Sequence, residues 1–162
     1  MGSELIETIP AGSLVTVDSA PIIYFLEDHS RFAARFAPLF EAAAAGDLAI
    51  VVSAITVAEV LIGPLAAGND VLAERYRAAL GRWSVVPVTE ELAALAARFR
   101  VRFRLRLPDA IQLATAVHSG SFALAACRTL RFRQVAKSKT ARFVVSNFQF
   151  RSRFISVRAQ ER

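Results

Sequence analysis

Leu14-Val15-Thr16-Val17-Asp18-Ser19-Ala20-Pro21 is the stretch on which the fold turns. A short β-rich run ends at a carboxylate, and Pro21 then offers the preset φ with which helices start. The reading is a strand that hands Asp18 to a strand-to-helix turn. Asp18 also has a bland role there, as the cap of the following helix.

Outward from this unit the same alternation repeats. Residues 22–26 and 31–45 carry apolar side chains at helical spacing, with a break at Asp28-His29-Ser30 and a stop at Gly46. Residues 48–52 form a continuous apolar run of strand length, of the type a parallel sheet buries on both faces. Residues 55–66 read as a helix that carries Glu59 and is disturbed near its end by Gly63-Pro64. A further helix is expected over 70–80, capped by Asn69 or Asp70 and ended by Gly81. Residues 83–88 are strand-like, Thr89 with Glu90 and Glu91 starts an alanine-rich helix, and Pro108 starts another that Gly120 closes. Residues 122–126 are the last core strand. Strands separated by helices in this order imply an α/β fold, a parallel sheet between helix layers, with ligands at the carboxyl ends of the strands.

One segment conflicts with itself. Arg98, Arg100, Arg102, Arg104 and Arg106 alternate with Phe99, Val101, Phe103, Leu105 and Leu107, which is the period of a strand. The segment also continues the alanine-rich helix without a breaker. The expectation is a helix that gives way to an extended approach to Pro108, because a residue before proline is pushed out of the α region.

The 162 residues suffice for a single sizeable core. With 54% hydrophobic against 21% charged residues, a disordered chain is excluded. No run approaches the roughly 20 apolar residues of a membrane span, and residues 1–10 lack the order of a signal peptide, so a cytoplasmic protein with no membrane partner is expected. One cysteine, Cys127, permits neither an internal disulfide nor a cysteine-built zinc site and reads as a buried inert thiol. The net charge of +6 is lopsided: up to Ala97 five basic residues face twelve acids, whereas from Arg98 onward fifteen basic residues face only Asp109 and Glu161. A basic half of this kind favours nucleic acid or an acidic protein over a merely solvated surface.

Three carboxylates stand in apolar company, at Val17-Asp18-Ser19, Ala58-Glu59-Val60 and Pro108-Asp109-Ala110. Each alone has an ordinary explanation: a helix cap for Asp18, an arginine pair for Glu59, and a favourable helix dipole for Asp109. If they converge, mutual repulsion raises their pKa values unless a divalent cation neutralises them. Oxygen-only donors suit Mg²⁺ or Mn²⁺, which promote phosphodiester chemistry by activating water and offsetting charge.

In that order the motifs resemble a known family. Val15-Thr16-Val17-Asp18-Ser19, Ile55-Thr56-Val57-Ala58-Glu59-Val60-Leu61, and residues 105–116 from Leu105 through Pro108-Asp109-Ala110-Ile111-Gln112 to Ala116 look like the leading motifs of PIN-domain proteins, in particular the VapC-like toxins of toxin–antitoxin pairs. The resemblance covers residues 14–135 and leaves 136–162 as a basic extension. It implies a three-layer α/β/α PIN-like fold with a central parallel sheet. It also implies an Mg²⁺- or Mn²⁺-dependent endoribonuclease, a hydrolase, with an antitoxin as partner, RNA as substrate and a homodimer as assembly. Asp18, Glu59 and Asp109 match the family's first three acids, so the resemblance gives them the roles of metal ligands and catalytic residues, without a covalent intermediate.

The fourth position departs from the pattern. Where an aspartate is expected, this chain has Thr129, which brings a hydroxyl but no charge. The alternative reading is therefore a catalytically impaired module that binds RNA or an antitoxin. The extension, with Phe143, Val144, Val145, Phe150, Phe154 and Ile155 among its basic residues, reads either as a hairpin that grips RNA or as an untuned tail, with the balance toward the tail. A phosphate-receiving regulator would need a core lysine, and the chain's lysines are Lys137 and Lys139. His29 and His118 read as turn and helix-end residues, and Phe25, Phe36, Phe40 and Trp83 as core. Apolar residues within 71–80 are candidate dimer contacts.

Overall fold

The computed structural model describes residues 9–126 in full, together with the backbone of three later strands. Strand β1 (Ser13–Val17) leads into α1 (Ser19–Leu26) and α2 (Ala33–Ala45), then β2 (Leu48–Ser53), α3 (Ala54–Ala66) and α4 (Asp70–Leu80). Strand β3 (Ser84–Val86) follows, then α5 (Glu90–Phe103), α6 (Leu107–His118) and β4 (Ala123–Ala125). Strands β5 (Leu130–Phe132), β6 (Thr140–Asn147) and β7 (Phe150–Arg158) pair antiparallel in a second sheet. The readings placed on Cys127, Thr129, Lys137 and Lys139 lie outside the described residues.

The first sheet is all-parallel in the order β3-β2-β1-β4. From β1 the chain steps outward through β2 to β3 and then returns to pair β4 on the other side of β1, with Thr16 beside both Val51 and Leu124. That reversal opens a crevice at the carboxyl ends of β1 and β4, the place where α/β sheets bind ligands. Two apolar clusters flank the sheet. Leu92, Ala96 and Phe99 of α5 join Ala110, Leu113 and Ala114 of α6 and Leu124 on one side; Ile22, Phe36, Phe40, Val60, Tyr76 and Leu80 pack with Val15, Val17 and Val52 on the other. This gives the three-layer α/β/α architecture the motifs imply, and it explains why β2 is apolar without alternation: Ile50, Val51 and Val52 are all buried.

Local chemistry sets the helix limits. Ser53 caps α3 by accepting from the Thr56 amide at 3.1 Å, Asn69 caps α4 and Thr89 caps α5. Gly46 closes α2 in the left-handed region at φ 82, where a side chain would be strained. Pro64 does not end α3, which runs two residues further to Ala66.

The arginine-rich segment is helical as far as Phe103, because Phe99 and Phe103, four residues apart, face the core while Val101 is 81% exposed. Arg104 then enters the left-handed region at φ 55, and only Leu105 and Arg106 remain of the expected extended approach. Phe36 and Phe40 are buried as expected and Trp83 stacks on Phe40, but Phe25, though stacked on Phe40 at 4.3 Å, is 38% exposed and lies at the rim of the core.

Candidate active site

Asp18 occupies the turn between β1 and α1, and its amide donates to the Ala125 carbonyl at 2.9 Å, which fastens it to the end of β4. Its carboxylate accepts from the Ser19 amide at 2.8 Å and caps α1. The capping role read from the sequence is thus present in the fold. Glu59 enters from the second turn of α3, whose start is set by the end of β2. Asp109 lies in the first turn of α6. All three carboxylates are partly buried.

The Asp18 carboxyl is pushed up from 3.8 to about 6. Burial is the largest cause, and the negative charges of Glu59 and Asp109 add to it, while the Ser19 hydrogen bonds pull the other way. The fold thus brings the three acids of the sequence motifs into one electrostatic neighbourhood. Among the described residues no three such groups stand close enough to hold an ion jointly. Carboxylate oxygens are donors for a hard divalent cation, and such a cation can be held by one or two carboxylates with water completing its shell.

A polar layer underlies the acids that sequence reasoning passed over. The buried Gln112 side chain donates to Thr56 Oγ1 at 2.7 Å, and Thr56 Oγ1 lies 3.2 Å from Ser53 Oγ. Thr16 on the neighbouring strand β1, Ser121 ahead of β4 and Ser119 at the end of α6 form a chain of hydroxyls at 2.8 Å spacings. The signal available in the sequence was position: Thr56 precedes Glu59 by one helical turn, and Gln112 follows Asp109 by one.

Beside Asp109, the exposed side chains of Arg98, Arg100, Arg102, Arg104 and Arg106 lead along the end of α5 to the start of α6. Arg100 donates to the Leu105 carbonyl at 3.3 Å, and the Arg102 guanidinium lies 5.3 Å from the Phe103 ring centre. These contacts hold part of the basic surface in place.

Residues 15–137 match the family model described as the PIN domain. The chain belongs to the PIN-domain family. Several solved structures are similar to it. A toxin–antitoxin complex from Klebsiella pneumoniae is similar at 27% identity and TM-score 0.53, over 68% of this chain and 82% of that one. VapBC2 from Rickettsia felis, solved on a DNA fragment of its promoter, shares the fold at 14% identity and TM-score 0.55, over 68% of this chain and 84% of its own. VapC20 of Mycobacterium tuberculosis, described as a toxin that cleaves the sarcin-ricin loop, shares it at 17% identity and TM-score 0.58, over 69% of this chain and 88% of that one. No curated protein sequence matches this PIN-domain chain. Among the described residues, none of its helices is long and apolar enough to cross a membrane.

Proposed function

We propose that this PIN-domain protein is the toxin of a toxin–antitoxin pair and cleaves RNA at Asp18, Glu59 and Asp109 with the help of Mg²⁺ or Mn²⁺. What supports the reading is the place of Asp18 at the carboxyl edge of the sheet, within electrostatic reach of Glu59 and Asp109, in a chain of the PIN-domain family. Three acids that repel one another in a half-buried crevice are unfavourable unless a cation or a chemical task accounts for them. A bound divalent ion supplies activation of water and neutralisation of charge on the phosphoryl oxygens.

The chain's own residues do the rest. Asp18, kept in register with β4 by its amide, presents one carboxylate at the base of the crevice, and Glu59 and Asp109 supply the further negative charge that makes a cation welcome. The arginines from Arg98 to Arg106 draw the phosphate backbone toward Asp109, since neutralised phosphates release counterions. An antitoxin would bind as a second chain, and exposed Ile62, Leu65 and Val71 on α3 and α4 offer apolar surface for a homodimer.

The impaired-module alternative has its own support, in Thr129 at the fourth acidic position and in the lack of a joint three-group cluster among the described residues. Calorimetric titration of Mn²⁺ into the antitoxin-free chain separates the two, with Asp18→Asn/Asp109→Asn as the control and cleavage of total RNA as the second readout. Saturable binding and cleavage that both vanish in the control support the nuclease. An absence of both in the wild-type chain favours the binding module.

A further inference from the structure

Gln112 is a glutamine where an apolar residue would serve the core better. It is 2% exposed between buried Ile111 and Leu113, and its Oε1 has no hydrogen-bond partner among the described residues. A buried amide left half satisfied costs stability relative to a hydrocarbon of similar shape, so its presence calls for a task that packing does not supply. The hydrogen bond of its amide, Nε2 to Thr56 Oγ1 at 2.7 Å, ties α6 to α3. Thr56 is itself fully buried and fixed at the first turn of α3, within hydrogen-bonding distance of Ser53 Oγ, the oxygen that caps the helix.

The two partners occupy matching places. Thr56 lies three residues before Glu59, and Gln112 three residues after Asp109, which puts each on the same helix face as its acid, about 4.5 Å along the axis. Val60 of α3 and the core residues of α6 pack in apolar clusters on opposite sides of the sheet, so this short, directional bond between buried groups is a direct tie between the two helices and bears on the separation of the two acids.

We infer that Thr56 and Gln112 are positioning residues: their hydrogen bond fixes how far apart Glu59 and Asp109 stand around Asp18, and through that the affinity of the three acids for a divalent cation. This rests on the metal-binding reading given above. It predicts that affinity and stability come apart when the bond is replaced by hydrocarbon. Loss of groups that orient metal ligands without touching the ion costs 10- to 100-fold in affinity in well-studied sites.

The test uses the full chain and five forms of it: wild type, Thr56→Val, Gln112→Leu, the double variant, and Thr56→Ser, which keeps the hydroxyl. Mn²⁺ affinity is measured by calorimetry, the unfolding midpoint by thermal melting, and the orientation of α3 against α6 by residual dipolar couplings without metal. Each single variant should bind Mn²⁺ about tenfold more weakly. The double variant should bind no worse than either single one and melt at or above the wild-type temperature. Thr56→Ser should stay within about twofold of wild type in affinity. The couplings should show a changed angle between α3 and α6 in the double variant, with each helix intact. A double variant that binds Mn²⁺ like the wild type, or that keeps the wild-type helix orientation, overturns the inference. Should the wild-type chain bind no Mn²⁺ at all, the nuclease reading falls, and the dipolar couplings alone decide whether these residues position the helices.

Discussion

Replacing Asp18 by asparagine should stabilise the protein at alkaline pH, by an amount the structure fixes. The folded carboxyl titrates near 6 against an ordinary 3.8, so the folded state holds the proton more tightly than the unfolded one. Stability from the neutral form is then complete below 3.8 and is lost as pH rises through 6. At pH 8 the ionised group costs about 3 kcal/mol, since each pKa unit corresponds to about 1.4 kcal/mol. At pH 4.5, where the folded carboxyl is mostly protonated, the cost falls to about 1 kcal/mol. Asparagine carries no charge and caps helices as well as aspartate, so it preserves the bond from the Ser19 amide and removes only this penalty. Urea unfolding of both proteins in chelator, at pH 8 and pH 4.5, should therefore show Asp18→Asn more stable by about 3 and about 1 kcal/mol, or roughly 6–12 °C in Tm at the higher pH. An advantage that does not grow between the two pH values would refute the raised carboxyl.

Glu59→Gln should bring the Asp18 carboxyl partway back toward 3.8, because a negative neighbour has been removed; carbon-detected NMR of the carboxyl measures this directly. Arg104→Gly should raise the urea midpoint by the equivalent of about 1 kcal/mol, since glycine relieves the left-handed backbone at φ 55. Leu92→Ala, at a fully buried position between α5 and α6, should cost about 2–5 kcal/mol in the same assay. Neutralising Arg100, Arg104 and Arg106 together should weaken RNA binding and flatten its dependence on salt; an unchanged slope of affinity against salt would remove these arginines from the proposed RNA surface.

The parts of the fold that were legible in the sequence are those with local causes. Asn69 and Gly81 bound α4 as expected, and Gly46 ends α2, because caps and left-handed turns act within a few residues. The arginine-rich segment was ambiguous because alternation and helical continuity are both satisfied by its composition; the core contacts of Phe99 and Phe103 decide it, and these depend on α6, not on the segment itself. Pro64 was read as a disturbance, and it does deprive the carbonyl four residues back of its helical donor, yet with only two residues after it the helix has little left to lose. Among the site residues the motifs pointed to Asp18, Glu59 and Asp109 one by one, and the structure adds their electrostatic coupling. The Thr56–Gln112 bond was invisible in the chain, since it joins residues 56 positions apart and only tertiary packing brings them together.

The placement of β4 has a consequence for the newborn chain. Asp18 emerges from the ribosome early, but its amide partner Ala125 and its neighbour Asp109 lie about a hundred residues downstream. At 5–20 residues per second the interval is on the order of ten seconds. Throughout that time the crevice has only one wall, and the three acids cannot meet. Whatever the assembled site does, it cannot do until β4 has been made, so the chain is unable to act through these acids during that interval.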